Sequence, residues 1–273
     1  MTDIADPPET AEYLDTAEPV NSTAQAYATV RRAIINADLA PGQVVSQVQL
    51  AAELNVSRTP LREALRRLQS EGLLEGDFNR RLRVAPLTMS DLEQIAATRI
   101  LMESFGVESS VPLLSETDLE RAEQAFLAMD EVRARDGSWH DFTEHHRIFH
   151  TTLFSAAGDR ICTQLNELWD HAERYRAIYR SATNQLMAVT VIAHDEHQAI
   201  LAAARERDAQ LCGQLVAAHL ARTALMTIAA QQATYDPKLI RRATLLASNR
   251  PDPSLQLEPV GQDGWWPQAL TRS

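Results

Sequence analysis

The run Val56-Ser57-Arg58-Thr59-Pro60-Leu61-Arg62-Glu63-Ala64-Leu65-Arg66-Arg67-Leu68 leaves the chain few structural choices at this point. Leu61, Leu65 and Leu68 recur at i, i+4 and i+7, so a helix of 3.6 residues per turn places them on one side, ready to pack into a core. Arg58, Arg62 and Arg66 recur at i, i+4 and i+8 and form a second, cationic stripe. Pro60 falls in the first turn, where the N–H it lacks has no intrahelical partner, and Ser57 is placed to cap the helix. An apolar face turned inward and a basic face turned outward suit a helix that reads DNA. A basic stripe alone is more often a solvated face, so its surroundings decide.

Those surroundings are consistent. Tyr27, Val30, Ile34 and Ile35 give a first amphipathic helix that ends at the turn dipeptide Pro41-Gly42. Ser46, with Gln49 three residues on, starts a second helix whose apolar face is Leu50, Ala51 and Leu54. Asn55 can take the left-handed conformation that turns the chain into the third helix. Beyond Gly72, Leu73-Leu74-Glu75 and Arg80-Arg81-Leu82-Arg83-Val84 flank Gly76-Asp77-Phe78-Asn79 as a short hairpin, with Leu82 and Val84 on one face and Arg81 and Arg83 on the other. The local signals therefore assemble a winged helix-turn-helix over residues 22–86. The whole chain carries a net charge of -11, yet residues 22–86 hold nine arginines against six acidic residues. The rest is acidic, which suits a DNA reader joined to a domain that binds something else.

In order and spacing, residues 41–42, 49–68 and 71–73 resemble the N-terminal domain of the GntR family of bacterial transcription regulators. The resemblance implies a sequence-specific regulator in which Arg58 and Arg62 reach bases or phosphates of a double-stranded operator, and the local pattern adds Ser57, Thr59, Arg66 and Arg81 as candidate contacts; a dimer predicts that the operator is palindromic. The chain departs from the family pattern twice. Val48 stands where many members carry arginine or glutamate, and Asn79-Arg80-Arg81 lacks the glycine usual at the wing tip.

Residues 88–233 read as nearly continuous helix, broken near Pro112, Asp136-Gly137-Ser138, Gly158-Asp159, Thr183-Asn184 and Arg207-Asp208. Thr88 and Ser115 are placed to start two of the helices. The expected fold is mainly α, a winged helix-turn-helix followed by an antiparallel all-helical bundle. Residues 1–21, with six acidic and no basic residues, predict a disordered tail, and residues 234–273 a Pro-rich mobile tail in which Trp265-Trp266 stands out. No run of about 18 apolar residues and no signal-peptide pattern is evident, which predicts a cytoplasmic protein without membrane contact. Cys162 and Cys212 lack metal or redox spacing and predict reduced thiols.

Among eight histidines, His146 and His150 lie one helical turn apart on one face, a spacing that lets two imidazoles meet one ion. His197 and His219 join them only if the bundle brings later helices to the same point. The motifs at residues 99–103, 146–150, 156–159, 196–201 and 219–220 are similar to the FCD-like effector domain of FadR-type GntR regulators. The resemblance implies a homodimer whose effector domain holds a divalent ion through one aspartate and three histidines and binds a small carboxylate there. His150, His197 and His219 match the three histidines, while His146 occupies the aspartate's place. Four neutral imidazoles leave the ion its full charge, which favours zinc, nickel or copper and strengthens the hold on an anion. Arg99, Arg174 and Arg176 are the arginines placed to pair with an effector carboxylate, against intrahelical ion pairing as the alternative, Arg99 with Glu103 being one such pair. The expectation is a regulator, acting as a repressor, and not an enzyme. The alternatives are a metal-dependent hydrolase, for which no general base is evident beside the histidines, and a regulator that senses the metal itself.

Overall fold

The computed structural model describes residues 23–77, 81–135, 137, 139–182 and 186–248, in two compact units that meet between Pro86 and Leu87. The acidic segment 1–21, the wing residues Asn79-Arg80 and the Trp265-Trp266 pair lie outside the described residues.

The first unit comprises α1 (Thr23–Ile35), β1 (Val44–Val45), α2 (Gln47–Glu53), α3 (Arg58–Ser70), β2 (Leu74–Asp77) and β3 (Arg81–Val84). Its three strands are antiparallel in the order β1-β3-β2. Leu61, Leu65 and Leu68 of α3 are fully buried against Val30 and Ile34 of α1 and against Leu82 and Val84 of β3. Each such side chain contributes about 1.5–3 kcal/mol by leaving water, so the leucine stripe is what fixes the pose of α3. Ser46 caps α2 by accepting the Gln49 N–H at 3.4 Å, and Asn55 turns the chain with φ 51. Ser57 does stand at the N-cap of α3, but its side chain accepts no helix N–H. The reason is local: the third residue of the helix is Pro60, which has no N–H to give. Gly76, at φ +107, lets β2 approach β3, since a Cβ there would come 2.2 Å from the Arg81 carbonyl oxygen.

The second unit runs through α4 (Met89–Ser110), a single 3-10 turn at Val111–Leu113, α5 (Glu116–Ala134), α6 (Trp139–Leu153), α7 (Asp159–Ala182), α8 (Leu186–Arg205), α9 (Ala209–Gln231) and α10 (Lys238–Ser248). Thr88 caps α4 through the Asp91 N–H, and Ser115 with Asp118 forms a reciprocal capping box on α5. The start of α9 meets the end of α4, so the two helices run antiparallel. A Cβ on Gly213 would lie 2.9 Å from the Ser104 carbonyl oxygen, which is why a glycine sits at this approach.

One sequence expectation changes here. The segment expected as a mobile tail contains α10, which buries Ile240, Ala243 and Ala247 and is held at its start by Glu93, whose carboxylate accepts from the Leu239 N–H at 2.6 Å and the Tyr235 hydroxyl at 2.7 Å. Its apolar face recurs at helical spacing in the sequence, but the flanking Pro237, Pro251 and Pro253 draw the segment into the expected tail. Helix α9 is long and apolar enough by composition to cross a membrane. More than half of its apolar stretch is packed inside the bundle, so α9 reads as a core helix. Both cysteines are free, and burial pushes the Cys212 thiol up to about 12.

Candidate functional site

The outward face of α3 carries Arg58, Thr59, Arg62 and Arg66, all exposed, with Ser57 half-buried at its start. Arg66 is bridged to Glu63 at 2.8 Å, an exposed pair that costs little to exchange for another anion. Arg67, one position round the helix, is used internally. Its guanidinium donates to Glu71 at 2.9 Å and stacks on the Tyr27 ring at 3.9 Å, while the Tyr27 hydroxyl donates to Glu71 at 2.8 Å. This arrangement ties α1 to the end of α3. On the wing, Arg81 is exposed at the start of β3, and Arg83 is bridged to Glu75 across the hairpin at 2.7 Å.

In the second unit the four histidines singled out from the sequence come together. His146 and His150 on α6, His197 on α8 and His219 on α9 are all buried, and each offers a ring nitrogen within 4.8 Å of those of the others. Burial, followed by the neighbouring cationic groups, holds His146 and His197 well below the ordinary histidine range. Burial outweighs the adjacent carboxylates at His150, held down to about 4, and at His219, also lowered. The cluster is therefore four neutral imidazoles.

Hydrogen bonds fix which nitrogens face one another. His150 Nδ1 lies 2.9 Å from Glu103 Oε1 and His219 Nδ1 lies 2.7 Å from Glu196 Oε2. An ionised carboxylate only accepts, so both Nδ1 atoms carry the hydrogen and both Nε2 atoms keep a lone pair. Burial works against ionising Glu103, but Arg99 and His150 outweigh it and hold the carboxyl at about 2. Burial likewise opposes ionisation of Glu196, and its bonds to His219 and Arg222 bring that group to about 2. His150 Nε2 and His197 Nε2 stand 3.3 Å apart. Two neutral rings at that distance either share one hydrogen or turn both lone pairs to one cation, and carboxylate-backed imidazoles are the arrangement that raises ligand basicity. His146 differs. Its Nδ1 lies 3.3 Å from Arg176 Nη1, and a guanidinium only donates, so this nitrogen accepts.

The three arginines separate. Arg99 pairs with Glu103 at 2.7 Å, the i, i+4 bridge weighed from the sequence, and Arg176 approaches Glu173 at 3.0 Å. Both also line a cavity between α4, α7 and α9 that His219 closes at one end, and both stack on Trp169, at 4.3 and 4.7 Å. Arg174 is buried but does not line this cavity. Sequence reasoning did not single out Glu196, the backing role of Glu103, or Trp169. The Glu103–His150 contact spans 47 positions, and no local spacing announces it.

Two family patterns match this chain. Residues 22–84 match the bacterial regulatory proteins of the gntR family, and residues 94–222 match the FCD domain. A relative from Agrobacterium vitis, an uncharacterized HTH-type transcriptional regulator of the ttuE-ttuC' intergenic region, is 30% identical over 164 residues, covering 55% of this chain and 91% of its own. The chain belongs to the GntR family. It is a DNA-binding transcription regulator with an FCD domain, and its family consists of regulators and not of enzymes, which sets aside the hydrolase alternative. Among other GntR relatives, Escherichia coli GlaR, named as a transcriptional repressor, is 26% identical over 198 residues, 71% of this chain and 90% of its own. The solved structure of E. coli McbR/YncC shares the fold, with a TM-score of 0.68 at 21% identity over 78% of this chain and 98% of that one. A GntR regulator from Rhodococcus sp. RHA1 does so with a TM-score of 0.63 at 23% identity, over 78% and 99% of the two chains.

Proposed function

We propose that this regulator works in the cytoplasm as a homodimeric repressor that releases its operator when a small carboxylate enters a metal-containing pocket of the helical unit. The observation that carries the reading is the set of four buried, neutral imidazoles whose ring nitrogens lie within 4.8 Å of one another. An apolar interior has little other use for four uncharged bases, two of them braced by carboxylates, the buried Glu103 and the half-buried Glu196. His150, His197 and His219 would hold a divalent ion, zinc by the chemistry of an all-nitrogen set, with nickel and copper as alternatives. His146 completes the set once Arg176 turns to another acceptor. Bound there, the ion supplies positive charge that no ligand carboxylate offsets, and an anion is drawn to it beside Arg99 and Arg176.

Residues 22–86 form the operator-reading domain and residues 88–233 the effector-binding and dimerisation domain. Arg58 and Arg62 reach bases or phosphates in the major groove, with Ser57, Thr59, Arg66 and Arg81 in support. A two-fold dimer calls for a palindromic operator with half-sites about one helical turn apart. Repression is the sign carried by the names of two relatives, GlaR and RspR of E. coli. The effector acts by binding one pose of the dimer better than the other.

The test is a gel shift with the DNA upstream of the protein's own gene, alongside elemental analysis of the purified chain. Expected are about one zinc per chain, loss of operator binding in the Arg58→Ala, Arg62→Ala double variant, and loss of zinc in His150→Ala. Unchanged operator binding by the double variant sinks the reading of α3. A chain that binds no divalent ion sinks the reading of the histidines.

A further inference from the structure

Among the described residues two cavities reach the histidine cluster, and they differ in what they offer a cation. The cavity between α4, α7 and α9 touches His219 and presents the guanidinium groups of Arg99 and Arg176, while Glu103 and Glu173, the carboxylates paired with these arginines, lie outside its lining. Its other polar side chains are the hydroxyls of Tyr175, Thr223 and Thr227. Tyr175 is already bonded to Asp91, and Thr227 to the Thr223 carbonyl oxygen. The rest of the lining is hydrocarbon. A hydrated ion entering here would meet like charge and give up its water with few lone pairs to replace it.

The second cavity lies between α5, α6 and α8 and touches His197. Asp130, Arg133 and His194 line it and are partly exposed, whereas His197 is buried. Asp130 Oδ1 accepts from His194 Nδ1 at 2.7 Å and is paired with Arg133 Nη2 at 3.0 Å. In the neutral His194 ring this bond places the hydrogen on Nδ1 and leaves Nε2 a lone pair. His194 and His197 stand three positions apart on α8 and share a face of the helix. Phe126 stacks on His194 at 5.1 Å and Phe142 on His146 at 5.8 Å, so aromatic walls join the outer pair to the cluster. The open space is about 10 Å³, room for about one water or one bare ion and too small for an organic acid.

We propose that the divalent ion reaches the cluster between α5, α6 and α8, passing from Asp130 and His194 near the surface to His197 inside and displacing Arg133 from Asp130 on the way. The proposal rests on the reading of the histidines as a metal site and adds the route to it. A carboxylate and two imidazoles replace the ion's waters one at a time along this path, and both are ligand types that zinc accepts. The ion carries twice the charge of the guanidinium it displaces, which favours the exchange at Asp130.

The test is the rate of zinc uptake by the metal-free full chain, followed by stopped flow with a chromophoric chelator that reports the zinc still free, beside the equilibrium zinc affinity. Asp130→Asn is expected to slow uptake about tenfold. Release is expected to slow by the same factor, so the equilibrium affinity stays unchanged. Arg133→Gln is expected to speed uptake about threefold, and both effects shrink as salt is raised. Thr223→Leu, which narrows the cavity between α4, α7 and α9, is expected to leave uptake unchanged. If Asp130→Asn does not fold, the sign of the Arg133→Gln effect decides. Unchanged uptake in Asp130→Asn, or uptake slowed by Thr223→Leu, overturns the route and leaves the metal site standing. A loss of affinity in Asp130→Asn equal to its loss of uptake rate makes Asp130 part of the final site and overturns the route as well. A native chain that takes up no divalent ion overturns both readings.

Discussion

In the unit built from α1, α2, α3 and the three strands, every described fully buried side chain is apolar, and the charged groups stand at the surface, Glu71 being largely covered there by Tyr27 and Arg67. The helical unit instead takes Glu93, Arg99, Glu103, Asp170, Arg174 and four histidines out of water. A rigid platform that presents its chemistry outward needs only a hydrocarbon interior. An interior carrying charged pairs and neutral bases costs several kcal/mol of desolvation per ion, an expense a fold tolerates where its inside meets something. The contrast is what the proposed division of work calls for, an outward-facing reader in the first unit and an enclosed ligand in the second.

The contrast breaks most visibly at Glu103. Glu103→Ala leaves Arg99 buried without its bridge and His150 without its acceptor, and a loss of about 3–5 kcal/mol is expected from urea unfolding of the full chain. The matching change in the first unit, Glu63→Ala, removes an exposed partner and should stay within about 0.5 kcal/mol.

Acid separates the units next. The histidines of the cluster are held below their ordinary range, His150 to about 4 from 6.5. Between those values the unfolded chain binds protons that the folded chain does not, so stability is complete above pH 6.5 and falls as the pH drops toward 4. Thermal unfolding of the metal-free chain should lose roughly 2–3 kcal/mol from His150 alone across that window. The first unit contains no histidine and lacks this contribution.

Arg58→Ala and Arg62→Ala test the outward face. Each should reduce operator affinity by about 1–3 kcal/mol where a base is read, or lower the salt dependence by about one ion where a phosphate is met, as measured by fluorescence anisotropy. Unfolding should be unaffected within about 0.5 kcal/mol, since both side chains are exposed. Tyr27→Phe removes the hydroxyl bond to Glu71 and should cost about 1 kcal/mol in the first unit without changing operator affinity.

Features carried by near neighbours in the chain were legible in the sequence. The leucine stripe of α3, the Ser46 and Ser115 caps, the left-handed Asn55, the alternation of β3 and the helix breaks all rest on contacts a few residues apart. The wing hairpin itself was equally plain. Strand β1 was not, because Val44 and Val45 become a strand only by pairing with Arg83 and Leu82. The four histidines were found, but the carboxylates behind two of them were not. Glu103 reads locally as the partner of Arg99, and its bond to His150 exists only once α4 lies against α6. Ser57 misled for a nearer reason, since the proline that marks the helix start also removes the group a cap would hold.

Glu93 bears on where a domain stops. The FCD pattern runs from residue 94 to residue 222, and Glu93 sits just before it while both of its partners, Tyr235 and Leu239, come after it. A fragment trimmed to the shared pattern would remove a carboxylate from one border and its two donors from the other, and would uncover the surface on which α10 rests. A fragment kept to Glu93 but cut at residue 222 would hold the acid with no donors. The boundary drawn by ancestry and the boundary drawn by cooperativity are therefore different lines in this protein, and expression of the helical half should follow the second.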